Sequence, residues 1–289
     1  MIFRTKKLFF IAIFAILFTS CYAPIDIETD AAAERLVVFA AFSQDIKRQY
    51  VNISKSMPYF QYGKPIAVDD AEVKVTFRQE EFVLHKDTLS GRYFIDNLPI
   101  VESEIYILDI YYDFNRDGIE EHYQAKSRMP NSPKVDSVRM SDLVIEKMPI
   151  LLVYGDAYHT TENNYCLYNW RLHDTIGVFD YFMMMPEYMM NSDFQVFPLP
   201  YYLNGEIRRG DTLCFRVDNF NNQYAVFISQ CMTETGVPTP IFSDPPAEVY
   251  TNIRCLSGEE FRVSGIFTTF SRGKTFEFIS TVDFDYSLF

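Results

Sequence analysis

Residues 71–77 alternate without interruption, with Ala71, Val73, Val75 and Phe77 on one side and Glu72, Lys74 and Thr76 on the other. A period of two puts the apolar set on one face of a strand and offers no stripe for a helix. The same signal recurs. Gln49–Ser54 alternates around Val51 and Ile53, while Leu36–Phe42 is a near-continuous apolar run, as in a strand buried on both faces. Ser90-Gly91 reads as a turn leading into a strand at Arg92–Ile95, and Glu104–Tyr112 is positioned to pair with Ile119–Lys126. Further strands are expected at Ile150–Tyr154, Tyr165–Leu172, Thr212–Val217, Glu260–Phe270 and Thr275–Val282. The chain holds 27 Phe and 20 Tyr against one Trp, side chains that suit a pleated, half-buried surface. One helix is expected where Phe220, Tyr224, Phe227, Ile228 and Cys231 recur at helical spacing, with Asp218 or Asn219 as its cap. The fold class is mainly β. Pro130, Asn131, Ser132 and Pro133 break the pattern and divide an N-terminal β-sandwich (34–129) from a C-terminal β-rich domain with about one helix (136–289), joined by a linker at 130–135.

The first residues carry a different signal. Arg4, Lys6 and Lys7 precede the apolar run Leu8–Phe18, and Thr19 and Ser20 lead into Cys21. This is the layout of a secretory signal peptide, residues 1–20. The cysteine after it resembles the lipobox of bacterial lipoproteins, in which cleavage precedes a cysteine that is then lipidated. Phe18 stands where the strictest pattern has leucine, with Leu17 one place further away. The alternative is an ordinary signal peptide with a chance cysteine. On the lipobox reading, residues 21–33 are a tether, and the protein is expected at the outer membrane, lipid-anchored, on either its periplasmic or its cell-surface face.

A formal net charge of −13 argues against nucleic acid as a partner, because phosphate binding needs a basic face. Besides Cys21 there are Cys166, Cys214, Cys231 and Cys255, which are either buried free thiols or disulfide partners in one of three pairings. No two are spaced as in a structural zinc site.

Asp113, Asn115, Asp117 and Glu121, with Gly118 after the third, place oxygen ligands at alternate positions, as a calcium loop does. Gln124 stands where a bidentate Glu belongs, and the flanks read as strands. A β-hairpin tip turned by Asp117-Gly118 therefore competes with calcium as the explanation. A second tract, Val178–Leu203, is rich in methionine and aromatic residues: Met183, Met184, Met185, Tyr188, Met189, Met190, Phe194, Tyr201 and Tyr202. Such adaptable side chains suit a ligand or partner surface, or equally a core insertion. Pro186, Pro198 and Pro200 point to a loop packed over a sheet. No nucleophile elbow, metalloprotease helix or phosphate loop occurs, so no catalytic residue and no cofactor other than calcium is expected. Asp-Ser/Thr-aliphatic triplets at Asp87, Asp136, Asp174 and Asp211 resemble the O-glycosylation acceptor of exported Bacteroidota proteins.

Several short motifs also recur in a familiar order: Arg35–Phe39, Gln49–Ser54, Pro65–Val75, Ser90–Tyr93, Ile107–Ile110, Val135–Ser137, Asn164-Tyr165, Trp170-Arg171, Gly210-Asp211, Tyr224, Asn252-Ile253 and Gly265–Thr268. The series resembles the Bacteroidota lipoprotein family known as domain of unknown function 4249. Members often carry a glycine pair after the Asn-Ile position, where this chain has Arg254-Cys255-Leu256-Ser257-Gly258. The resemblance implies an N-terminal sandwich like transthyretin or the carboxypeptidase regulatory domain, and it supplies no enzymatic activity or catalytic residue to carry over. It also implies a genomic neighbour in a TonB-dependent outer-membrane receptor. The expected function is therefore a transporter accessory in ligand binding or nutrient uptake. The alternative is a structural adhesin or envelope-assembly subunit pairing through β edges.

Overall fold

The computed structural model describes residues 34–57, 63–145, 148–154, 163–171, 183–186, 194–198, 206–235, 249–258, 262–281 and 283–285. In chain order the elements are β1 (Leu36–Phe42), β2 (Arg48–Lys55), β3 (Ile66–Ala67), β4 (Glu72–Phe77), β5 (Glu80–Val83), β6 (His85–Lys86), β7 (Tyr93–Asp96), β8 (Ile105–Tyr112) and β9 (Glu121–Arg128). Next come β10 (Ser137–Ile145), β11 (Met148–Tyr154), β12 (Asn163–Arg171), β13 (Met183–Pro186), β14 (Phe194–Pro198), β15 (Glu206–Ile207) and β16 (Thr212–Asn221). The helix α1 (Asn222–Thr235) precedes β17 (Ile253–Cys255), β18 (Val263–Arg272), β19 (Phe276–Ile279) and β20 (Phe284–Asp285).

Two sheets form a sandwich. The larger runs β13-β12-β16-β18-β1-β2-β7-β6, with β19 added to β16 and β3 to β2; the smaller runs β17-β9-β8-β4-β5. Their inner faces share one core. Leu36, Val38, Ala40 and Phe42 of β1 and Val51 of β2 belong to the same buried cluster as Val75 of β4 and Tyr106, Leu108 and Ile110 of β8. Each fully buried Val, Leu, Ile or Phe among them contributes roughly 1.5–3 kcal/mol. The aromatic members are oriented as well as buried. Phe77 stacks on Tyr106 with centroids 5.0 Å apart, and Phe42 meets Phe267 edge-on at 5.2 Å. The Tyr106 hydroxyl donates to the Pro99 carbonyl and accepts from the Val101 N–H, so its burial leaves no polar group unpaired.

The alternation at 71–77 is realised as read, with Val73, Val75 and Phe77 buried and Glu72, Lys74 and Thr76 on the outer side. β1 corrects its expectation. It is buried on one face only, and Phe39 between the core residues is 40% exposed. The helix cap is also corrected. Asp218 and Asn219 lie inside β16, which runs on to Asn221, and Asn221 Oδ1 accepts from the Tyr224 N–H at 3.0 Å. Phe220 stacks on both Phe270 and Tyr224, at 4.7 and 4.5 Å, and this carries the strand up to the cap.

The expected boundary at 130–135 is crossed by strand pairing. β18 lies parallel to β1, Leu36 opposite Val263 through Phe42 opposite Thr269, and its far end runs antiparallel to β16 from Phe270 to Arg272. β17 adds to β9 of the smaller sheet. Both sheets of the sandwich are thus completed by residues from beyond the expected linker, and Ala33–Phe289 forms one compact unit. The linker itself is pinned. The Asn131 carbonyl accepts from Asn219 Nδ2 and Ser271 Oγ, and the Ser132 N–H donates to Glu102 Oε1. Nearby, Ser127 Oγ accepts from Asn221 Nδ2 and from the Thr269 N–H, closing a polar seam where β9 meets β16 and β18.

Candidate functional site

The loop between β8 and β9 holds Asp113, Asn115 and Asp117, and Glu121 opens β9 just after it. Asp113 accepts the N–H of Asp117 at one oxygen and that of Gly118 at the other. Asp117 Oδ1 accepts from the Ile119 N–H, and Asn115 Nδ2 donates to Asp117 Oδ2 at 3.0 Å. Glu121, 2% exposed, turns inward and accepts from the Phe114 N–H at 2.7 Å. Arg116 and Gly118 take positive φ of 64° and 90°, the conformation that lets the chain reverse so tightly. Asp113, Asn115 and Asp117 are thus turned onto the backbone of the loop as in Asx-type turns, and Glu121, the first residue of β9, bonds it from the far side. Among the described residues, no group of three or more His, Cys, Asp or Glu is placed to hold a metal ion.

The methionine and aromatic tract is only partly described. Cys21, Tyr188, Met189, Met190, Tyr201 and Tyr202 lie outside the described residues. Met183, Met184 and Met185 belong to β13, which pairs with β12, whereas Phe194 opens β14, which pairs with β11 in the three-stranded sheet β10-β11-β14. The packed loop expected here is therefore corrected to include two strands, and they are placed in different sheets. Each ends on a proline, Pro186 or Pro198, and both are sheet-edge strands, where a missing N–H is tolerated.

The thiols of Cys214 and Cys255 are free. Burial pushes those of Cys214 and Cys231 up, away from reactive thiolate. Of the Asp-Ser/Thr-aliphatic triplets, Asp87-Thr88-Leu89 stands on an exposed turn with Leu89 98% exposed. There Asp87 accepts from the Leu89 N–H and Ser90 Oγ, which lowers its carboxyl below the ordinary value. Leu213 and Val138 of two other triplets are buried in strands, and the triplet at Asp174 lies outside the described residues.

The richest polar constellation was not singled out in the sequence. It occupies the outer face of the smaller sheet. Register places Lys74, Asp109, Gln124 and Arg254 in one row across β4, β8, β9 and β17, with Tyr111 and His122 opposite one another in the next. Tyr111 stacks on His122 at 4.4 Å. Asp109 Oδ1 bonds His122 Nε2 at 2.7 Å and accepts from Gln124 Nε2 at 2.9 Å. Lys74 pairs with Glu72, which holds its ammonium above its usual range. At the β17 end this face opens into a pocket of about 370 Å³ lined by Gln124, Lys126, Gln223, Tyr250, Asn252 and Arg254, among others. Asn252 anchors its wall. Its Nδ2 donates to the Phe267 carbonyl and is shared between the Lys126 carbonyl and Gln223 Oε1, and its Oδ1 accepts from the Phe267 N–H. The period-two pattern of 71–77 and the Asn252-Ile253 motif were the available signals. Neither says which strands lie side by side.

These features define a β-sandwich protein with a polar outer face and a side pocket. The chain belongs to the family described as Domain of unknown function (DUF4249), whose model matches residues 22–275. No curated protein matches it. Among solved structures it is similar to a two-domain fibronectin type-III segment of chicken tenascin, at 9% identity and a TM-score of 0.22, over 63% of this chain and 88% of that one. It is also similar to the FN1–FN3 domains of chicken CNTN1, at 11% identity and a TM-score of 0.31, over 65% of this chain and 62% of that one.

Proposed function

We propose that this protein is a non-enzymatic outer-membrane lipoprotein, held by acyl chains on Cys21, that assists a TonB-dependent transporter in ligand binding or nutrient uptake. The observation that carries the reading is the placement of Cys21 directly after the basic and apolar segment 4–20. Each acyl methylene buried in the bilayer contributes about 0.8 kcal/mol to anchoring. Among the described residues no helix is long and apolar enough to cross a membrane. The family resemblance supports the transporter association, since it implies a TonB-dependent receptor as genomic neighbour. Loops carried on a rigid β scaffold suit recognition.

Two measurements test this. Changing Cys21→Ser should move the protein from the membrane fraction to the soluble envelope fraction; a variant that stays membrane-bound removes the anchor from the argument. Gentle detergent extraction of the native protein, followed by mass spectrometry, should recover a TonB-dependent receptor in stoichiometric amount. Recovery of this chain alone, or only with itself, sinks the accessory reading.

A further inference from the structure

We infer that the pocket between β9, β17 and the start of α1 binds a small hydroxylated carboxylate, of the class of a uronic acid. The inference goes beyond the membrane reading, because it concerns a site in the isolated chain.

Charge is the first argument. The chain has 39 acidic against 26 basic residues, yet the two charged side chains that line this pocket, Lys126 and Arg254, are both cations. Neither has a carboxylate partner among the described residues. Arg254 pairs across the ladder with Gln124, and Lys126 lies two residues further along the same face of β9. Such diagonal neighbours stand roughly 7–8 Å apart, within reach of two long side chains converging on one anion.

Hydrogen-bonding chemistry is the second. Gln124 spends its Nε2 on Asp109, which leaves its carbonyl oxygen to accept a hydroxyl. Gln223 spends its Oε1 on Asn252, which leaves its Nε2 to donate. The Tyr250 hydroxyl has no partner among the described residues, while the Tyr250 backbone is fixed by Gln230 Oε1 at 2.5 Å. One acceptor, one donor and one phenol around two cations suit a ligand that carries hydroxyls beside its charge. Leu256, 56% exposed, supplies an apolar wall for the C–H face of a ring. A volume of about 370 Å³ lies in the range of small-molecule sites. The hydrogen bonds of Asn252 hold the wall before anything binds, which lowers the ordering cost of association.

The test is calorimetric titration of the detergent-solubilised protein with glucuronate, galacturonate and glucose. At least one uronate should bind about tenfold more tightly than glucose, and Lys126→Gln and Arg254→Gln should each weaken it by about tenfold. Lys64→Gln, a charge-matched change outside the pocket, should leave it unaltered. Because Lys126 and Arg254 are exposed, both pocket variants should melt at the wild-type temperature. No uronate binding, equal affinity for glucose, or indifference to both pocket substitutions overturns the inference. None of these results depends on whether a transporter is recovered.

Discussion

At the scale of single residues, Asp218 shows how burial and pairing compete. It is 1% exposed in β16, accepts from Arg216 Nε at 2.8 Å, and accepts from the Gly273 N–H at 3.2 Å. Burial outweighs the neighbouring Arg216 charge and lifts its carboxyl above the ordinary value. Between the unfolded pKa of about 3.9 and that raised value, the folded state holds the proton more often than the unfolded state does. Stability from this group is therefore lost as pH rises through that window. Asp218→Asn cannot titrate. The stability of the wild type relative to this variant should fall as pH rises from about 4, measured as the urea midpoint at stepped pH. A difference that stays constant with pH contradicts the assignment. The sequence presented Asp218 as a helix cap, because Asp is a common cap and the helical spacing of apolar residues starts at Phe220. What it did not display is the stacking of Phe220 on Phe270, a contact between distant segments that keeps residues 218–221 in the strand.

At the scale of elements, the decisive contact is the parallel pair of β1 and β18. Gly265 sits within it at φ +104°, and a Cβ there would lie 1.9 Å from the Val38 carbonyl oxygen. Gly265→Ala therefore meets both a backbone clash and an unfavourable φ. It should destabilise the fold by roughly 2–4 kcal/mol, read as a lowered urea midpoint with unchanged slope. A midpoint within error of wild type would mean that the two strands are not so closely apposed. Most strands near the N-terminus were legible because alternation reports which face is buried, as in 71–77. Strand partners were not, because period-two patterning is silent about the neighbour across the ladder. The short strands β3, β5, β6 and β17 escaped for a related reason: two to four residues carry too little pattern to read.

At the scale of the whole molecule, the sandwich is assembled from chain segments far apart in sequence. Residues 34–135 contain the apolar faces of β1, β2, β4, β8 and β9 but lack β17 and β18. Expressed alone, this fragment exposes the β18-facing edge of β1 and the outer edge of β9, so it should fail to melt cooperatively, whereas residues 34–289 should show a single transition by calorimetry. A cooperatively folding 34–135 fragment would restore the sequential two-domain division. That division was suggested by Pro130 and Pro133, whose local meaning as breakers was read correctly. The hydrogen bonds of Asn131 and Ser132 to Ser271, Asn219 and Glu102, which tie the breaker down, depend on partners no local pattern reveals. The same arrangement sets where a load would fall. Traction on the chain ahead of Glu34 reaches β1 first, a strand bonded along both edges, to β18 from Leu36 to Phe42 and to β2 from Leu36 to Ala40. Pulled along its axis, such a strand must shear both ladders together rather than peel away bond by bond. A load applied to β1 from its N-terminal side would thus meet a mechanical clamp.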